Sequence, residues 1–134
     1  MGNENIRNMG LEADITVIQA LDAQAIQDAT PVLSSAIDTT TYPRTRILLV
    51  AHSKEVSDTA HTMAFTVTES ATSGGVYTAA TTSGTLTASA ADSVTRSASI
   101  KRNPAKPFIK VTATGSHADV DVLVSAQVLF VGNV

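Results

Sequence analysis

Apolar and polar residues alternate along most of this chain with a period of two, the spacing of a strand whose successive side chains point to opposite faces. His61–Ser70, HTMAFTVTES, is the clearest short case. Met63, Phe65 and Val67 fall on one side, and Thr62, Ala64, Thr66 and Thr68 on the other. Phe108–Gly115 places Ile109, Val111 and Ala113 against Lys110, Thr112 and Thr114. Ala118–Val131 carries an unbroken row, Val120, Val122, Val124, Ala126, Val128 and Phe130, and reads as the longest strand. Arg44–His52, RTRILLVAH, is a near-continuous apolar run, the pattern of a central strand covered on both faces. Shorter strands are expected at Val32–Ile37, Val76–Ala79, Thr85–Ser89 and Ser93–Lys101. The Val76–Ala79 strand should pair as a hairpin with the strand before it. Arg96 falls on the apolar register of the Ser93–Lys101 strand, which suggests a strand end or a sheet edge.

Residues 13–28 are ambiguous. Leu11, Ile15, Ile18 and Leu21 have helical spacing, whereas Ile15 and Val17 alternate and β-branched residues crowd the first half. A strand over about 14–20 is the preferred reading. Turn signals separate the strands: Asp38–Pro43, the polar run 53–60, Ser73-Gly74-Gly75, Ser83-Gly84, Asn103–Pro107 and Gly115–Ala118. Neither Pro104 nor Pro107 fits a central strand. The pattern predicts eight or nine short strands and no helix between them, which excludes parallel βαβ units. The expected fold is an all-β antiparallel β-sandwich, jelly-roll-like, over residues 14–134. An extended N-terminal arm over 1–13 precedes it.

Composition strengthens this picture. The 134 residues include 20 Ala, 19 Thr, 14 Val and 13 Ser, and Thr and Val suit a pleated surface. Charged residues are 16%, below the ~25% usual for a soluble domain, so the surface is dressed with small, weakly polar side chains. Such a surface is often covered by a neighbour. With three Phe, two Tyr and no Trp, the core is expected to be aliphatic and thin. The first residues lack the apolar stretch of a signal peptide, and no run approaches the ~18 apolar residues that span a bilayer. A membrane partner is not expected.

Charge is unevenly placed. Residues 1–43 carry a net −5, residues 44–110 a net +4 and residues 111–134 a net −2. Screening limits such fields to about 8–10 Å, so they act in contacts, for instance chain to chain.

Candidate chemistry is sparse. There is no Cys, which removes thiolate metal sites and Cys nucleophiles. His52, His61 and His117 sit at strand ends or in a turn, and nothing resembles a nucleophile elbow. His117, Asp119 and Asp121 alternate and could hold a divalent cation, but a solvated turn running into a polar strand face is the preferred reading. No catalytic residue, metal or cofactor is expected. The densest basic cluster is Lys101, Arg102, Lys106 and Lys110. A nucleic-acid reading is weak because Phe108 is the one nearby ring, and the chain is acidic overall. An ordinary solvated loop is the plainest reading, and docking on an acidic protein surface fits better than nucleic acid. Carbohydrate binding, a frequent job of β-sandwiches, is poorly served by two Tyr and no Trp.

The order of pieces resembles the small β-sandwich head proteins of tailed bacteriophages that decorate or cement the capsid shell. The resemblance spans roughly residues 30–131. It rests on Ala36-Ile37-Asp38, the loop Thr41-Tyr42-Pro43, the strand Ile47–Ala51 and the stretch Phe65-Thr66-Val67-Thr68-Glu69-Ser70. Val76-Tyr77 and the basic turn Lys101-Arg102 before Phe108–Gly115 complete it. It implies a non-enzymatic virion protein on the capsid exterior, assembled in the host cytoplasm. It also implies homotrimers that bridge subunits of the major capsid protein lattice. Candidate capsid contacts are Asn3, Asn5, Ile6, Arg7, Met9 and Leu11 of the arm, with Lys101, Arg102 and Lys106 of the basic loop. The rival roles are a ligand-binding module, carbohydrate-binding or adhesin-like, and a tail or head–tail connector subunit.

Overall fold

The computed structural model describes residues 15–26, 31–55, 61–80, 86–90, 94–115 and 122–132. These residues form ten strands and no α-helix: β1 Ile15–Ile26, β2 Val32–Leu33, β3 Ile37–Asp38, β4 Thr45–Glu55, β5 His61–Ser70, β6 Thr78–Ala79, β7 Leu86–Ala90, β8 Val94–Ile100, β9 Phe108–Gly115 and β10 Val122–Gly132. A short 3-10 turn, Thr39–Thr41, follows β3.

All pairings are antiparallel and build two sheets. One has the order β1-β10-β4-β8; the other has β9 and β5 at its centre, with β2 and β3 along the free side of β9 and β6 and β7 along the free side of β5. Counting β2 with β3, and β6 with β7, as two broken strands leaves eight. The first then pairs with the last, the second with the seventh, the third with the sixth and the fourth with the fifth. One long hairpin doubled over on itself gives this nesting, which is the jelly-roll arrangement of a β-sandwich.

The inward rows meet between the sheets. Ile47, Leu49 and Ala51 of β4, Val122, Val124, Ala126, Val128 and Phe130 of β10, Met63, Phe65 and Val67 of β5, and Ile109, Val111 and Ala113 of β9 are buried. The core is aliphatic apart from Phe65 and Phe130, as the composition requires.

Several sequence expectations need correction. The first strand runs to Ile26, well past residue 20, because its register with β10 shifts between Gln19 and Leu21 and again between Leu21 and Gln24. Each bulge inserts residues into the two-residue period. Ile18 and Leu21 therefore both turn inward at a spacing of three, which is why the segment imitates a helix in sequence. The single strand expected at Val32–Ile37 is two. Between them lies buried Ser34, whose hydroxyl donates to the Ser35 carbonyl (2.9 Å) and accepts from the Val111 amide (2.9 Å). A side chain thus takes a place in the ladder that backbone would fill. The strand expected at Val76–Ala79 shrinks to β6, which does pair with β5, while Val76 is 85% exposed. A Cβ at turn residue Gly75 would press on the Thr72 and Ser70 hydroxyls, which would have to move aside. Among the described residues β1 has 12 residues and β10 has 11, and residues 118–121 of the strand expected at Ala118–Val131 lie outside them. Finally, β4 is central in its sheet but not covered on both faces: Leu48 and Val50 on its outward side are half-buried and Arg46 is exposed.

Candidate functional site

At one end of the sandwich two connecting segments, 39–44 and 101–107, are tied into one body. Arg102 is the knot. Its guanidinium donates to the carbonyls of Thr39 (2.6 Å), Tyr42 (2.5 Å) and Thr45 (3.1–3.2 Å), and to the Thr45 hydroxyl (2.5 Å). A planar fork with five N–H donors satisfies several converging carbonyls at once, which an ammonium group does less well. Thr39 ties back in turn, donating its amide (3.0 Å) and hydroxyl (2.7 Å) to the Pro107 carbonyl. The Tyr42 ring lies 4.5 Å from that of Phe130, fastening the segment to the core.

The basic segment is braced internally as well. Asn103 Oδ1 accepts from the Ala105 amide (3.1 Å), the Asn103 carbonyl accepts from the Lys106 amide (3.0 Å), and Asn103 Nδ2 donates to Glu69 Oε1 (3.0 Å). Asp38 caps the 3-10 turn. Its carboxylate accepts from the Thr40 hydroxyl (2.6 Å) and amide (2.9 Å), and these bonds hold its pKa below the ordinary carboxylate value.

The two segments enclose an open cleft of about 240 Å³, walled by Pro43, Pro104 and Pro107 and edged by Thr39, Thr40, Arg44, Arg102 and Asn103. Arg44 is exposed and has a φ of 63°, the left-handed region that side chains other than glycine and asparagine rarely adopt. The turn from Pro43 into β4 demands that conformation. Near the cleft, Lys106 donates to the Thr78 hydroxyl (3.0 Å), and the Lys110 ammonium sits 4.3 Å from the centre of the Tyr77 ring. Tyr77 donates its hydroxyl to the Ser73 carbonyl (2.8 Å), and desolvation raises its pKa.

The structure therefore brings Arg102 and Lys106 of the predicted cluster into one rigid platform, with Lys101 exposed beside them. Arg102 is turned inward on backbone carbonyls, and Lys101 and Lys106 hold the more outward positions. Asn3, Asn5, Ile6, Arg7, Met9 and Leu11 lie outside the described residues, as do His117, Asp119 and Asp121. Among the described residues no group of three His, Cys, Asp or Glu side chains is placed to hold a metal ion. His52 pairs with Thr95 through Nδ1 (2.8 Å) on an outward sheet face. Sequence reasoning did not single out Arg44, Asn103 or Tyr77 as parts of a site. Arg44 could have been found only through its following Pro43 in a turn, a weak signal.

No protein-family model and no curated protein sequence matches the chain. Solved structures do match in three dimensions. The C-terminal family 22 carbohydrate-binding module of Clostridium thermocellum Xyn10B superposes with a TM-score of 0.56 at 10% identity, over 89% of this chain and 82% of that one. The PBSX exported protein XepA gives 0.58 at 11% identity, over 89% of this chain and 38% of that one. A protein of infectious bursal disease virus, Gx strain, gives 0.53 at 13% identity, over 87% of this chain and 31% of that one. What they share with this chain is the jelly-roll fold. At these identities function does not follow from fold.

Proposed function

We propose that this chain is a non-enzymatic structural subunit of a tailed-phage particle, applied to the capsid exterior, where it bridges major capsid subunits. The observation that carries this reading is the braced basic platform. Arg102 and Asn103 spend their hydrogen bonds on rigidity, and Arg44, Lys101 and Lys106 surround the result. A surface organised before contact loses little entropy on binding, and its charges orient an acidic partner. Residues 1–13 would add a second grip. Repetition around a closed homotrimer would multiply weak contacts into avidity. A ligand that binds only the assembled shell stabilises it by mass action. Fold likeness to a viral particle protein and to a PBSX exported protein is compatible with this reading.

The test is co-sedimentation of the purified chain with phage shells lacking it. Binding that weakens steeply with salt, and weakens in the Lys101→Ala/Lys106→Ala variant, supports the reading. Binding to no shell, at low salt and high protein concentration, overturns it.

A second reading, carbohydrate binding, is favoured by likeness to xylan-binding modules, one of them solved with xylohexaose. Its obstacle is Tyr77, the exposed-side ring best placed to stack on a sugar, whose neighbourhood Lys110 already occupies. Retention on insoluble xylan, or a heat of binding with xylohexaose, would favour it over the virion reading.

A further inference from the structure

The two sheets turn very different faces outward. On the β9–β5 sheet the outward positions are mostly polar, Thr66, Thr68, Lys110, Thr112 and Thr114, with Ala64 and the exposed Leu33 as isolated apolar members. On the four-stranded sheet the registers place Val17 beside Leu129 and Leu129 beside Leu48. Ile15 and Val131 adjoin that row on one side and Val50 on the other. Ile15 is 47% exposed and Val17 52%, while Leu48, Val50, Leu129 and Val131 are half-buried, so the block is apolar across three adjacent strands and most open on β1. Scattered apolar residues on a surface are ordinary, whereas a contiguous block is the feature that marks contact.

Four of the polar side chains on this face are already paired. Gln127 Nε2 donates to Gln19 Oε1 (3.0 Å), and Gln19 Nε2 donates to the Leu21 carbonyl (2.8 Å). His52 and Thr95 pair with each other at 2.8 Å. Covering the face would therefore strand few polar groups, which is the main penalty in burying a surface. On β1, β10 and β4 the exposed charged residues are Asp22, at the β1 register shift, and Arg46 and Lys54, toward opposite ends of β4.

We infer that the outward face of the four-stranded sheet is buried against a second copy of this chain. Three observations select that occupant. The apolar block formed by Ile15, Val17, Leu129, Val131, Leu48 and Val50 is uncharged, so it offers no electrostatic instruction that would choose a partner of opposite charge. Its apolar block resembles homomeric interfaces, which are more apolar than those between independently soluble partners. Its size also suffices: β1, β10, β4 and β8 have 12, 11, 11 and 7 residues, and at ~3.4 Å per residue and ~4.8 Å per strand they cover roughly 670 Å² per copy. Two copies would bury roughly 1,300 Å², toward the lower end of specific interfaces. The inference adds a surface to the self-association in the proposed function, and it can be tested without a capsid.

The experiment is sedimentation equilibrium of the full chain. The expected result is an oligomer at micromolar concentration, with Val17→Asp raising the dissociation constant at least tenfold. The Ile15→Thr/Val17→Thr variant keeps strand propensity while removing apolar surface, so it answers should the aspartate unfold the strand. Thr112→Asp, on the outward face of the other sheet, should leave the oligomer intact. A wild-type monomer at hundreds of micromolar overturns the inference, as does an unchanged mass in both β1 variants or equal dissociation by Thr112→Asp. A monomer that still binds phage shells overturns this interface while leaving the structural role standing; an oligomer that ignores shells does the reverse.

Discussion

Asn103 donates its side-chain amide to Glu69 Oε1 at 3.0 Å, joining the basic segment to β5 through a carboxylate that is 3% exposed. A buried carboxylate left without a donor is costly, whereas removing both partners together costs far less. Asn103→Ala is therefore expected to lower stability by about 1–3 kcal/mol in urea unfolding. Adding Glu69→Leu should recover part of that loss, and a double-mutant cycle with no coupling would show that the pair does not act as a unit.

Arg102→Lys keeps the charge but cannot reproduce the fork onto the carbonyls of Thr39, Tyr42 and Thr45. The expected loss is about 2 kcal/mol, read as a Tm several degrees lower. An unchanged Tm would mean that the two segments hold together without the knot.

Arg44, with its φ of 63°, should respond in the opposite direction. Arg44→Gly relieves the backbone and is expected to be neutral or stabilising by up to about 1 kcal/mol, whereas Arg44→Val should cost about 1–2 kcal/mol. If the cleft serves shell binding, the more stable Gly variant binds shells less well. Thermal melts beside co-sedimentation separate the two effects.

Ser53 is 1% exposed, and its hydroxyl has no hydrogen-bond partner among the described residues. Ser53→Ala removes that buried polar atom at almost constant volume, and stability should rise by about 1 kcal/mol. A fall in Tm would reveal a partner for the hydroxyl.

Asp38 has a lowered pKa, set first by the Thr40 hydroxyl and then by the Thr40 amide. A depressed carboxyl favours the folded state above its unfolded pKa of ~3.9, and that contribution fades as pH falls through the lower folded value. Asp38→Asn should flatten the stability-versus-pH curve below about pH 4, measured by urea titration at several pH values. An unaltered acid limb would place the acid sensitivity elsewhere.

The strands with the cleanest alternation, β5, β9 and β10, were legible because each buries one face and wets the other. Legibility failed where something other than alternation sets the course. In β1 two register shifts convert a spacing of two into three. At Ser34 a hydroxyl replaces a backbone group in the ladder. Of the candidate site, the basic cluster was visible, but not that Arg102 points back into the fold. Charge is written in the sequence; the carbonyls that claim it come from segments about sixty residues away.

By itself the sequence determined the class of structure: alternating rows of Val, Ile, Leu and Ala with frequent turns can bury their apolar sides only by stacking two antiparallel sheets. It determined too that the core is mostly aliphatic and that bases concentrate between residues 44 and 110. Only the tertiary structure decided that β1 pairs with β10, that β4 leaves Leu48 and Val50 facing outward, and that Arg102 closes a cleft with Arg44 at its edge. Periodicity is a local property, set by neighbours along the chain. Which strand lies beside which, and which apolar face stays open, follows from contacts between residues far apart in sequence, and no local pattern records them.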